Sequence, residues 1–126
     1  FEALDFILDI KRKTNNKDIL FLRISYQDEK KLIGTICLWK FSEDRKVAEL
    51  GYELLPAHHR KGIMSEAVTF ILNYGFTSLK LQKIEAFTNK NNLNSTRLLQ
   101  NNNFIKNEER GDEKFLDNLI FEIIKP

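Results

Sequence analysis

Cysteine and histidine are scarce in this chain. Cys37 has no second cysteine with which to form an internal disulfide, and the two histidines, His58 and His59, are adjacent, so there is no spaced ligand set for a structural zinc. An excess of one charge is also missing: 20 basic residues stand against 18 acidic ones, a formal charge of +2, and the basic residues are spread along the chain rather than gathered in a tract. Nucleic acid as a partner gains no support from that balance. Long apolar runs are absent as well. Ile19 to Leu22 and Leu119 to Phe121 fall far short of the roughly 20 residues a membrane span needs. No charged-then-apolar leader is expected from the opening residues, and no internal repeat, linker or low-complexity segment is found within the given sequence. The expectation is a soluble protein in a reducing cytoplasm, with no metal, nucleic acid or membrane to serve.

What is present is 126 residues, 42% of them hydrophobic, enough for one core and too few for two ordinary domains. The chain opens at Phe1 without a methionine and goes straight into an amphipathic pattern, so the expectation is that something precedes it. Phe1, Leu4, Ile7 and Leu8 recur at helical spacing, and Thr14, Asn15 and Asn16 favour a turn; the segment reads as a helix. Ile19 to Tyr26 and Leu32 to Phe41, parted by a polar run, predict a hairpin. Val47 to Leu55 adds a third antiparallel strand, ended by Pro56.

From Gly62 the period changes. Ile63, Ala67, Phe70, Ile71, Tyr74 and Leu79 are spaced as on a buried helical face, with Glu66 in the first turn where the helix dipole favours negative charge. Ile84 to Phe87 reads as a short strand, parallel to Val47 to Leu55 through a right-handed crossover. Asn94 or Ser95 is the expected cap of a second helix carrying Leu98 and Leu99, and Phe115 to Ile124 supplies a last strand or pair. The fold class is α+β, a mixed and mostly antiparallel sheet flanked by helices.

Two stretches carry chemistry. From Glu49 to Ala67 a strand feeds a basic loop with one glycine and then a helix, which sets unpaired backbone amides and the positive end of a dipole around Gly62. This is either an anion site suited to phosphate, with Arg60 and Lys61 at its rim, or an exposed polar connection. The GxxxxGK[ST] spacing of a nucleotide loop is absent. From Ile84 to Phe104 a strand leads into Asn89, Asn92 and Ser95 and then a helix ending in Asn103-Phe104. Those polar residues either serve a ligand or only form turns and a cap.

Together the two stretches resemble motifs A and B of the GNAT acetyltransferases, nearest to the ribosomal-protein N-terminal acetyltransferase (RimJ/RimL-like) branch. The family's [RQ]xxGx[GA] falls on His59, Arg60, Lys61, Gly62, Ile63 and Met64, with the glycine met; its NxxNxxSxxLL falls on Asn89, Asn92, Ser95, Leu98 and Leu99; and its helix-ending glycine is replaced by Asn103. The resemblance runs from the family's second helix to its last strand, so it implies a GNAT fold lacking the first strand and helix.

What the resemblance implies is acetyl transfer from acetyl-CoA, with no metal, to an amine by direct attack in a ternary complex. The protein N-terminal α-amine is favoured, and small amines, polyamines and aminoglycosides use the same fold. The pantetheine arm would lie where a bulge splays Val47 to Leu55 from the next strand, against the backbone of Leu54 and Leu55. The pyrophosphate would rest on the amides of His59 to Met64, with Ser65 nearby, and Asn92 would hold the arm near the thioester. Glu53 is the preferred base, ahead of Glu49 on the same strand face, the alternative being a solvent-facing glutamate; Ser95 is the expected proton donor to the thiolate, the alternative being a cap. A non-catalytic acyl-CoA-binding module and a plain interaction domain are the rival classes. A homodimer is among the assemblies compatible with the sequence.

Overall fold

The computed structural model describes residues 4–11, 18–28, 31–55, 58 and 62–126. They form strands β1 (Leu4–Lys11), β2 (Ile19–Tyr26), β3 (Leu32–Trp39) and β4 (Val47–Leu54), helix α1 (Ile63–Thr77), strand β5 (Lys83–Asn89), helix α2 (Leu93–Asn101), and strands β6 (Ile105–Lys106) and β7 (Asn118–Ile124). One sheet orders them β1-β2-β3-β4-β5-β7-β6. The β4–β5 pair is parallel and its neighbours are antiparallel, the mixed sheet that the α+β reading expects.

The predicted opening helix is a strand. Leu4, Phe6 and Leu8 pack against the core at a period of two, and all eight residues of β1 are in register with β2, from Leu4 opposite Tyr26 to Lys11 opposite Ile19. Helical and strand periods both fit those apolar residues. A helix this short gains little from its own hydrogen bonds, so pairing along a full edge decides between them. The expected turn at Thr14 to Asn16 lies outside the described residues.

Alternation sets the rest of the sheet. Leu20, Leu22 and Ile24 of β2, Ile36 and Leu38 of β3, and Ala48 and Leu50 of β4 are buried beneath α1. Helix α1 answers with Ile63, Met64, Ala67, Val68, Ile71 and Phe76; Phe70, expected on the buried face, is 42% exposed and packs its ring against Phe6. Gly75 lets the helix settle on the sheet, since a Cβ there would stand 3.1 Å from Ile84 Cδ1 and 3.3 Å from Leu38 Cδ1.

The cap of helix α2 lies two to three residues before the predicted one. Asn92 is the N-cap, its side chain accepting from the Ser95 amide at 3.1 Å, so neither Asn94 nor Ser95 fills that place. Its far end follows the substitution read from the sequence. Asn103 adopts φ 69°, Asn103 N–H donates to Gln100 O at 3.1 Å, and Phe104 N–H donates to Leu99 O at 3.0 Å, the paired bonds of a Schellman cap. Leu99 and Phe104 are both buried in the core.

Candidate active site

The site is built on the β4–β5 seam. Their parallel ladder runs from Val47 opposite Lys83 to Leu50 opposite Ala86 and stops, although β4 continues to Leu54 and β5 to Asn89. This is the splay that the resemblance calls for. It arises without the expected bulge: the β3–β4 register is unbroken from Trp39 opposite Glu49 to Gly34 opposite Leu54, and the register shift lies instead between Ile24 and Ser25, where β2 meets β3. Tyr52 lies on β4 just past the last β4–β5 rung, and its hydroxyl is hydrogen-bonded to Ser95 Oγ on α2.

Two cavities meet there. The first, of 620 Å³, is walled by the end of β4 (Tyr52, Glu53 and Leu54), by the start of α1 from Gly62 to Ser65, and by the Arg97 face of α2. The second, of 700 Å³, lies between Trp39, Glu49 and Gly51 on one side and Glu85, Phe87 and the Asp112 loop on the other. Tyr52, Asn92 and Ser95 line both.

In the first cavity the α1 N-terminus carries no side-chain cap, and its first helical bond is Glu66 N–H to Gly62 O at 3.1 Å. The amides of Ile63, Met64 and Ser65 therefore lack intrahelical acceptors, as the first turn of a helix always does. Gly62 sits at φ 74°, a conformation glycine adopts without strain. Asn102 Nδ2 donates to Ser65 Oγ at 3.2 Å and to Leu98 O at 2.9 Å, tying the two helices at this end. His58 lines the wall, its Nδ1 3.1 Å from Tyr26 Oη.

Of the residues expected to hold the cofactor, Leu54, Gly62, Ile63, Met64, Ser65 and Asn92 come together around this cavity. Leu55 does not. Its N–H donates to Ile33 O at 2.9 Å and its carbonyl accepts from His58 N–H at 2.9 Å, so both backbone groups are paired within the protein. His59, Arg60 and Lys61 lie outside the described residues. The two candidate bases part company: Glu53 is exposed in the first cavity, whereas Glu49 lines the second with a side chain only 13% exposed. Burial pushes the Glu49 carboxyl above the usual carboxylate range; Lys40 at 3.6 Å pulls it back, and the negative charges of Glu85 and Asp112 add to the rise.

Sequence reasoning does not reach Tyr52 or Arg97. Arg97 was within reach, because Asn94, Arg97, Leu98 and Asn101 recur at helical spacing on the face that lines the cavity. Burial also raises the Tyr52 phenol, against the opposing pull of its bond to Ser95. Among the described residues no group of three or more His, Cys, Asp or Glu is placed to hold a metal ion, and no helix is long and apolar enough to cross a membrane.

A parallel seam that opens beside a helix N-terminus is the arrangement the GNAT resemblance implies, and direct comparison agrees. A family model for the acetyltransferase (GNAT) domain matches residues 2–105, and the chain belongs to that family. It is 40% identical over 83 residues to the uncharacterized N-acetyltransferase YoaA of Bacillus subtilis (strain 168), covering 66% of this chain and 47% of the relative. It is 33% identical over 107 residues to the uncharacterized N-acetyltransferase p20 of Bacillus licheniformis, covering 81% and 60%. The chain thus spans about half the length of the curated relatives it matches. Among solved structures, the ribosomal-protein-S5-alanine acetyltransferase from Vibrio fischeri superposes with a TM-score of 0.77 at 24% identity, over 85% of this chain and 62% of that one. Mutant forms of the spermidine/spermine N-acetyltransferase SpeG from Vibrio cholerae superpose at 0.76 and 23% identity, over 89% and 67%. At those identities the likeness is one of fold.

The Asn92 cap offers a direct check on the local construction. Asn92→Ala should lower stability by about 1 kcal/mol, the typical cost of a lost N-cap, read as a lower urea midpoint at unchanged slope. An unchanged midpoint would mean that the bond to the Ser95 amide does not hold the start of α2.

Proposed function

We propose that the chain moves the acetyl group of acetyl-CoA to a primary amine by direct attack in a ternary complex, and that the amine is a protein N-terminal α-amine, as in the RimJ/RimL-like branch. The observation that carries this is the opening of the β4–β5 ladder after Leu50 and Ala86, with one cavity on each side of a wall made by Tyr52, Asn92 and Ser95. Acetyl-CoA fits the first cavity. Its pyrophosphate would take the amides of Ile63, Met64 and Ser65 at the α1 N-terminus, and its pantetheine arm would run along the β4 edge that β5 leaves, beside Leu54, with Asn92 near the thioester.

The acceptor then enters from the second cavity, where the base is Glu49 in preference to Glu53. Glu49 is held in a half-dry setting that raises its affinity for a proton, which suits a group that must take one from an ammonium. Ser95 supplies the proton that the departing thiolate needs. A polyamine is the second reading, favoured by the three carboxylates of Glu49, Glu85 and Asp112 on that cavity.

Calorimetric titration of acetyl-CoA tests the proposal. One-to-one binding in the micromolar range is expected, followed by turnover on ribosomal-protein N-terminal peptides; preference for spermidine would move the acceptor to the second reading. Binding without transfer to any amine would make the chain a non-catalytic acyl-CoA module. No binding by folded protein would remove the assignment altogether.

A further inference from the structure

We propose that Tyr52 and Ser95 act as a pair of linked hydroxyls that carries a proton from the acceptor cavity to the sulfur in the cofactor cavity, with Tyr52 the positioning residue that turns Ser95 into a donor. The proposal rests on the acetyl-transfer reading above. Tyr52, Asn92 and Ser95 are the residues that face both cavities, and two of the three carry an O–H. Those two are hydrogen-bonded to each other across 43 residues of sequence. The helix cap, the alternative role for Ser95, is taken by Asn92, which accepts from the Ser95 backbone amide and leaves the hydroxyl unneeded for that purpose. Ser95 is also buried, with 7% exposure, so the two cavities it lines are the routes to its hydroxyl.

Either hydroxyl can donate in this bond. In the relay Tyr52 donates, and Ser95 Oγ, by accepting from it, keeps its own proton for the sulfur. In the transfer step the neutral amine forms a C–N bond to the acetyl carbon and the C–S bond breaks, its electron pair remaining on sulfur. The Ser95 proton goes to sulfur and the Tyr52 proton to Ser95 Oγ. As the Tyr52 proton moves, the nitrogen gives the Tyr52 oxygen the proton it sheds on becoming an amide, so no free phenolate is formed in the buried site. No net proton is gained or lost, and neither hydroxyl is consumed.

The test compares wild type, Tyr52→Phe, Ser95→Ala and the double variant in steady-state transfer with acetyl-CoA. Tyr52→Phe keeps the ring and removes only the hydroxyl. It should lower kcat by about 10²-fold, the lower end of general-acid effects, leave KM for acetyl-CoA unchanged, and reduce the solvent deuterium isotope effect on kcat. The double variant should be no slower than Ser95→Ala, since residues that act as one unit do not have multiplying effects. Ser95→Thr, which keeps a hydroxyl, should retain most of the turnover, a readout that stands even if Tyr52→Phe fails to fold. Wild-type rate in Tyr52→Phe, losses that multiply in the double variant, or a Ser95→Thr as slow as Ser95→Ala each overturns the relay. If wild type transfers acetyl groups and the relay fails, only this proposal falls; if wild type does not bind acetyl-CoA in the calorimeter, the underlying reading falls and takes the relay with it.

Discussion

Glu49→Gln should cut kcat by about 10²-fold or more, within the range usual for losing a positioned general base, with acetyl-CoA affinity nearly unchanged. Glutamine preserves the shape of the side chain and removes its capacity to take a proton together with the charge that pairs with Lys40. The pH profile supplies the sharper signature. A base works in its ionised form, and burial raises the Glu49 pKa, so kcat/KM should climb with pH through a value above the ordinary glutamate one, and that limb should be missing from the variant. Glu53→Gln should keep both the rate and the limb. The reverse pattern, with loss in Glu53→Gln and none in Glu49→Gln, would return the role to Glu53. The same shift has a consequence for folding: because the folded state holds the Glu49 proton more tightly than the unfolded chain, this contribution to stability is full below the ordinary value and is lost as pH rises through the raised one.

Gly34→Ala should damage stability and cofactor binding together. Gly34 faces Leu54 across the β3–β4 pair, and a Cβ there would lie 2.7 Å from Glu53 O and 2.7 Å from Leu54 Cδ1. The leucine side chain can turn aside, but the carbonyl is backbone, so the last two residues of β4 must move. Overpacking of this kind costs about 1–3 kcal/mol, which urea denaturation would read. The residues displaced form a wall of the 620 Å³ cavity, so the Kd for acetyl-CoA should rise about tenfold, equivalent to 1.4 kcal/mol. Unchanged stability and affinity would show that the strand end absorbs the methyl group and does not shape the cofactor wall.

Much of this was legible in the residues. Strands β2 and β4 show the alternation expected of strands, the switch to helical spacing after Gly62 is abrupt, and the strand–helix–strand order favours the parallel β4–β5 pair that the structure has. The first element was ambiguous because Leu4 and Leu8 satisfy a period of two and of nearly four at once, and only the β2 edge resolves it. The cap of α2 was misplaced because Asn92, Asn94 and Ser95 are all good capping residues within one turn. Glu49 and Glu53 share a strand face, so alternation cannot separate them; what does is which cavity each meets. Tyr52 read as an ordinary strand residue, since its partnership with Ser95 exists only after α2 folds back over the seam.

That seam has a mechanical side. Four rungs join β4 to β5, against eight between β1 and β2 and seven between β5 and β7, so the sheet is two antiparallel plates hinged along a short line, with α1 as the connecting strut. A ligand threaded into the gap would hydrogen-bond to the plate on one side and press on the other, stiffening the hinge where the protein itself is least stitched. Amide exchange in β4 and β5 beyond Leu50 and Ala86 should therefore slow on binding more than exchange anywhere in the plates' interiors, since openings of the hinge are the motions such a ligand suppresses.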